Sequence, residues 1–362
     1  NGAPRPQWVE PVFTTRAPDF VPGPIAMAVE GSRVFVAGTF TTVNGLTRRG
    51  LAALDLTTGA VLPWDPRIDE RPAVSLDGVA FLAVSDGVVY AAGGIETVAG
   101  VPRAGLAGFD ANTAALTAFA PAACGDQYSW VSVLAASAGR VYRGCAGGST
   151  VVFEALGADG LPVPTWTPPT GVWRLLLATP TAVYVAHNTS RMLALDPLTG
   201  AALPWGNPQV DASAAVAAPG RLIVSGFFPE AGRSTRPCVR AIDVASGAVL
   251  DWSQTCDHAR SLAADGQRVA IGAQSVGGIG ARGLAAIDLR TGQPAAVPEL
   301  GEDYVGAMHA LGDVVVAAVS GVTGLRLRAF SASAAAWYPW ELPISGGVYA
   351  WTATDRSLYV GG

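Results

Sequence analysis

The chain contains no lysine: every one of its 23 basic residues is arginine. Schiff-base chemistry on a lysine amine is therefore excluded outright. Charge of either sign is scarce, at 14% of 362 residues, and the net balance is −5. With no basic stripe to follow a phosphate backbone, the sequence argues against a nucleic-acid partner. No apolar run reaches the ~18 residues of a membrane-spanning helix. Only His187, His258 and His309 are histidines, and they stand far apart. There is no C-x-x-C pair and no calcium loop of the D-x-D-x-D-G kind, so neither a metal nor a cofactor is expected.

What the chain has in abundance is hydrophobic residues, 50% of the total, with 44 glycines and 26 prolines as turn formers. Low charge and dense turn signals favour many short buried strands over coiled coil or disorder. The four cysteines, at 124, 145, 238 and 256, lack metal spacing and read as two disulfides, hence an extracytoplasmic location, periplasmic or secreted. Asn1-Gly2-Ala3-Pro4 is not a charged leader followed by an apolar run, so a mature or trimmed form is expected.

Self-similarity decides the fold class. One unit runs Ile25–Gly38, then Phe40–Gly45, then Leu51–Asp55, and ends Thr57-Thr58-Gly59 before Trp64. It holds four short β-rich segments. The last two are joined by Asp-x-x-Thr-Gly, in which the Asp side chain accepts backbone N–H bonds and Gly takes positive φ. An aromatic follows the turn-initiating position by nine residues in Asp55/Trp64, Asp110/Phe119, Gly157/Trp166, Asp196/Trp205, Asp243/Trp252 and Ser331/Trp340, while Asp288 has Val297. From 331 round the chain ends to 55 is 86 residues, room for one further unit split across the termini. Second strands centre near Phe35, Tyr90, Tyr142, Tyr184, Ile223, Ala270, Val315 and Tyr359.

Four strands in a unit of roughly 45 residues make the blade of a β-propeller. The expected fold is therefore all-β: one propeller domain over residues 1–362, with eight blades favoured over seven. Residues 1–24 are expected to complete the last blade with 346–362, closing the ring and removing its open edges.

Phe40-x-x-Val-x-Gly-x-x-Arg48 before Leu-Ala-Ala-Leu-Asp55, with its echo Ile95-x-x-Val-x-Gly-x-x-Arg103 before Leu-Ala-Gly-Phe-Asp110, resembles the delta-60 class of bacterial propeller repeats. The turn-plus-Trp segment is similar to the tryptophan-docking motif of the quinoprotein dehydrogenase superfamily. There the motif locks blades together, so the resemblance implies fold more than activity. The adjacent cysteines common in those enzymes are absent here, and no residue matches their quinone, calcium or catalytic-Asp set. The Ser-x-Asp-x-Gly-x-Thr-Trp boxes of sialidase propellers are also missing.

In a propeller, connections between second and third strands, and from a fourth strand to the next blade, open on one face. Cys124 and Cys256 lie in the second kind of connection, Cys145 and Cys238 in the first, so Cys124–Cys145 and Cys238–Cys256 are the expected pairs. Each closes a loop of roughly 20 residues, worth about 3 kcal/mol by loop entropy. The same connections carry the candidate ligand or partner residues: Asp126, Tyr128, Trp130, His187, Asp257, His258, Glu302, Asp303 and Tyr304. Paired carboxylates there invite glycosidase chemistry, and Tyr128, Trp130 and Tyr304 invite a sugar platform or a protein hot spot. With no acid/base, nucleophile or metal set assembled, the expected function is a non-catalytic scaffold or accessory subunit that docks another protein of a cell-envelope assembly. A carbohydrate-binding propeller is the alternative, followed by a hydrolase or quinone-dependent enzyme.

Overall fold

The computed structural model describes residues 7–15, 23–70, 78–124, 130–147, 150–169, 171, 173–187, 191–206, 208–228, 237–255, 259–273, 283–301, 303–344, 347–354 and 356–361. Among these the regular structure is entirely antiparallel β. Seven sheets follow the repeat. Sheet 1 contains Pro24–Glu30, Arg33–Gly38 and Leu51–Asp55; sheet 2 contains Val79–Ser85, Val88–Gly93 and Leu106–Asp110. Sheet 3 is Trp130–Ser137, Arg140–Gly147 and Thr150–Leu156, and sheet 4 is Trp173–Ala178, Val183–His187 and Arg191–Leu195. Four strands form each of sheets 5 (Asp211–Ala218, Arg221–Phe227, Pro237–Asp243, Val249–Thr255), 6 (Ala259–Ala264, Arg268–Ala273, Leu284–Asp288, Pro294–Ala295) and 7 (Tyr304–Leu311, Val314–Gly321, Gly324–Ser331, Ala336–Pro343). Ala350–Ala353 and Leu358–Gly361 make a two-stranded terminal sheet.

Inner strands of successive sheets pack side by side from sheet 1 through sheet 7, and Ala350–Ala353 packs on Pro24–Glu30. This is the blade arrangement of a β-propeller. Each expected second-strand centre lies in a second strand, Phe35 and Tyr359 included. Inner strands are half-exposed, whereas third strands such as Leu51–Asp55 and Leu106–Asp110 are buried almost throughout. Covered on both faces by neighbouring sheets, the middle strands read as unbroken apolar runs rather than as alternation.

The Asp-x-x-Thr-Gly turns are built as their chemistry dictates. Asp55 Oδ1 accepts from Thr57 N (3.0 Å), Thr58 N (2.8 Å) and Thr58 Oγ1 (2.8 Å), and Gly59 sits at φ +75°. The carboxylates of Asp110, Asp196, Asp243 and Asp288 cap their turns through the same Thr or Ser three residues on. In sheet 7, where Ser331 replaces the Asp, Asp313 supplies the carboxylate to Ser331 Oγ at 2.6 Å and to Ser333 N at 2.7 Å.

One detail departs from the expectation. The fourth strand of sheets 1 to 4 is reduced to single bridges, Leu54–Val61, Phe109–Leu116, Leu156–Pro162 and Leu195–Ala202. Just beyond each bridge the chain turns inward to bury Trp64, Phe119, Trp166 or Trp205. Burying such a ring is worth about 2 kcal/mol or more, against a few ladder bonds of about 1 kcal/mol each. Trp64 Nε1 donates to Asp110 O of sheet 2 at 2.9 Å, and Trp205 Nε1 to Val244 O of sheet 5 at 3.1 Å, so these rings lock each sheet to the next.

Candidate functional site

The two segments that match Phe-x-x-Val-x-Gly-x-x-Arg form hairpins between the second and third strands of sheets 1 and 2. Thr42–Val43 pairs with Leu46–Thr47, and Ile95–Val98 pairs with Val101–Pro102. Their two-residue turns place Asn44 (φ 50°), Gly45 (76°), Ala99 (48°) and Gly100 (80°) in the left-handed region, as a tight hairpin turn requires. Phe40, Val43, Ile95 and Val98 pin the hairpin bases in the core. The arginine that closes each motif is a brace. Arg48 donates to Thr47 O (2.8 Å) and Leu62 O (2.9 Å), and Arg103 donates to Pro102 O (2.9 Å) and Thr117 O (3.4 Å).

Each hairpin gains a third strand from the chain entering its sheet, Phe13–Thr14 for the first and Ile68–Glu70 for the second. Asp69 then couples the two hairpins: Arg49 Nη1 lies 3.0 Å from its Oδ1, and Thr97 Oγ1 donates to its Oδ2 at 2.9 Å. The tips end in half-exposed apolar side chains, Leu46 at 49% and Val101 at 45% exposure. The bracing fixes both apolar tips at the same end of adjacent sheets. The sequence singled out the motif only as a repeat signature; alternation of two buried residues, a turn glycine and an arginine was the available signal.

The same end of sheet 7 holds Asp303 and Tyr304 side by side. Tyr304 is 47% exposed. Asp303 is paired with Arg326, which also approaches Glu341 at 3.2 Å and donates to Thr323 Oγ1 at 2.6 Å. Behind them Arg328 stacks on Trp337, 3.9 Å from the ring centroid. Asp303 is thus committed to an ion pair, while Tyr304 beside it is exposed. His187 closes the second strand of sheet 4, half-buried and engaged with its surroundings. Trp130 opens the inner strand of sheet 3, paired in register with Ala146. Asp126, Tyr128, Asp257, His258 and Glu302 lie outside the described residues.

Cys124 and Cys145 form the expected disulfide, tying the segment that leaves sheet 2 to the second strand of sheet 3. Cys238 is also disulfide-bonded, and Cys256, its expected partner, lies outside the described residues. His309 lies on the inner strand of sheet 7 with Nδ1 2.9 Å from Ala310 O, and burial holds its pKa below the ordinary imidazole value. No described group of three or more His, Cys, Asp or Glu converges as a metal site would require. No described helix is long and apolar enough to cross a membrane.

No family model matches the chain, and no curated protein matches it in sequence. Solved structures do match in fold. The computationally designed Ika8 protein aligns at a TM-score of 0.64 with 14% identity, over 94% of this chain and 93% of that one. BamB from Moraxella catarrhalis aligns at 0.55 with 14% identity, over 98% and 93%. The dihydro-heme d1 dehydrogenase NirN aligns at 0.56 with 17% identity, over 89% of this chain and 68% of its own. BamB and NirN are β-propellers, and the chain shares that fold.

Proposed function

We propose that this propeller is a non-catalytic docking platform outside the cytoplasm, an accessory subunit that holds another protein of a cell-envelope assembly. The observation that carries the proposal is the pair of braced hairpins whose exposed tips, Leu46 and Val101, project from adjacent sheets and are coupled through Asp69. Pre-organised apolar tips lose little conformational entropy on binding, which favours their use as contacts. The disulfide fits an oxidising compartment. The likeness in fold to BamB is consistent with the reading and adds no more than architecture.

Photo-crosslinking amino acids placed at Leu46 and Val101, and at the exposed Leu161 and Leu198 of other turns as controls, test the proposal in the source cells. Crosslinks from both hairpin tips to one envelope protein, with none from the controls, are expected. Equal crosslinking from all four positions overturns it. The exposed Tyr304 beside the Asp303–Arg326 pair supports a second reading, a carbohydrate face. That reading requires glycan binding that disappears in Tyr304→Ala.

A further inference from the structure

Where sheet 3 meets sheet 4, an arginine fills the corner. Arg140, first residue of its second strand, donates through Nη1 to Pro197 O at 2.7 Å and Leu198 O at 2.6 Å, in the turn after Asp196. Tyr142 Oη shares the same Pro197 carbonyl at 3.1 Å. Where sheet 1 meets sheet 2, Arg33 holds this position and donates to Asn112 Oδ1 at 2.8 Å, in the turn after Asp110. At the matching position of sheet 4 the side chain stops at Cβ. Ala182 immediately precedes the Val183–Leu195 register pair, as Arg33 precedes Val34–Leu54.

At this position a groove of about 320 Å³ opens between sheets 4 and 5. Thr181 and Ala182 form one wall, and Tyr184 and Trp205 another. Val244 and Ala245, which follow Asp243 as Pro197 and Leu198 follow Asp196, form the third. Val244 O accepts one bond from Trp205 Nε1 and keeps a second lone pair. Asp243 caps its own turn through Ser246 and has Arg221 opposite it in the same sheet, so what the groove offers a cation is the turn's carbonyls rather than a carboxylate. The groove therefore presents the backbone turn that a guanidinium satisfies one sheet earlier, with the largely buried Tyr184 and Trp205 rings as its floor.

We propose that this groove is a binding site for a guanidinium group, an arginine side chain presented by a partner protein. It opens at the end of the sheets opposite the hairpin tips, so it stands or falls independently of the docking reading. Arginine fits better than lysine because its planar fork makes directional bonds to adjacent carbonyls, as Arg140 does at Pro197 and Leu198.

The probe is acetyl-arginine-amide titrated into the intact protein, read at the Trp205 indole N–H by nitrogen-15 NMR. The resonance is assigned by its loss in Trp205→Phe. A saturable shift of that signal is expected. The neutral citrulline counterpart is expected to bind about tenfold more weakly, the loss of one charge-assisted bond. Ala182→Arg, which supplies the side chain in cis, should abolish the shift; Ala182→Met, which projects an uncharged chain of similar reach over the turn, should do the same. Absence of a saturable shift, equal binding of the citrulline or lysine compound, or binding that survives both substitutions overturns the site.

Discussion

The hydroxyl of Tyr359 donates to the carbonyl of Leu56 at 2.6 Å, joining residues 303 positions apart. Tyr142 makes the same bond to Pro197, and Pro197 follows Asp196 as Leu56 follows Asp55. Trp8 packs on Tyr359 with ring centroids 5.1 Å apart, as Trp166 packs on Tyr142 at 5.8 Å and Trp205 on Tyr184 at 5.7 Å. A Cβ added at Gly59 would strike the Trp8 ring, as one at Gly200 would strike Trp166 and one at Gly247 would strike Trp205. Trp8 and the terminal sheet thus stand to sheet 1 as Trp166 and sheet 3 stand to sheet 4.

These contacts join Trp8 and the terminal sheet to sheet 1. Tyr359→Phe should cost about 1 kcal/mol, the net worth of one hydrogen bond. Trp8→Ala should cost about 2 kcal/mol, since its ring is only partly buried. Urea unfolding followed by Trp fluorescence reads both. Unchanged midpoints in the two variants would show that the ends are passengers.

A second regularity concerns the third strands. The residue in register with Phe35, Tyr90, Tyr142, Tyr184, Ile223, Ala270 and Val316 is Ala53, Gly108, Ala155, Ala194, Ala241, Ala286 and Ala329 respectively. A small residue there lets the second-strand ring reach across to its docking partner, as in Phe35–Trp64 at 5.0 Å and Tyr90–Phe119 at 4.9 Å. At Gly108 a Cβ would lie 3.1 Å from Phe119 Cβ and 2.8 Å from Thr117 Oγ1. Ala194→Leu should therefore destabilise by about 2 kcal/mol through overpacking, and Gly108→Ala by about 1 kcal/mol. Tolerance of Ala194→Leu within about 0.5 kcal/mol would remove this explanation.

The repeat was legible because its signals are local. Asp-x-x-Thr-Gly caps itself, and the nine-residue offset measures one turn plus one outer segment. Register across strands is not local, and two findings depend on it. The ring that packs on Phe330 is Trp337, 5.4 Å away, which the offset did not single out. The groove at Ala182 opens at the position that Arg140 holds in sheet 3, and only alignment in space shows which residues should be compared. Charge in a connection likewise says nothing of its partner: Asp303 reads as a candidate ligand, yet Arg326 from the third strand already holds it.

Acid should loosen the molecule through its turns. Hydrogen bonds from Thr58 hold the Asp55 carboxyl below its ordinary pKa, and bonds from Thr113, Thr199, Ser246 and Thr291 do the same for Asp110, Asp196, Asp243 and Asp288. A carboxylate with a depressed folded-state pKa stabilises above its unfolded value and loses that contribution as pH falls through the folded one. His309, lowered by burial, acts in the same sense at higher pH: folding is opposed once the unfolded imidazole begins to protonate. The midpoint of thermal unfolding should be flat near neutrality, decline below the ordinary imidazole range and decline again below the ordinary carboxylate range. In His309→Gln the first decline should vanish while the second stays. A single decline shared by both proteins would show that His309 is not coupled to folding.

Arg143 offers the sharpest test of a buried charge. Its side chain is 3% exposed and its Nη2 lies 2.7 Å from Glu154 Oε1, the residue directly opposite on the third strand. Its Nη1 donates to Ala122 O at 2.8 Å, two residues before Cys124. Removing the cation alone strands a partly buried carboxylate, so Arg143→Met should cost about 3 kcal/mol. Removing both charges takes away the desolvation penalty as well as the attraction, so Arg143→Met with Glu154→Leu should cost only about 1 kcal/mol, the residual loss at the Ala122 carbonyl. Denaturant midpoints of the two single variants and the double complete the cycle. If the double variant is as unstable as Arg143→Met, the cost lies in the bond to Ala122 and the segment it anchors beside the Cys124–Cys145 bridge, not in the stranded carboxylate.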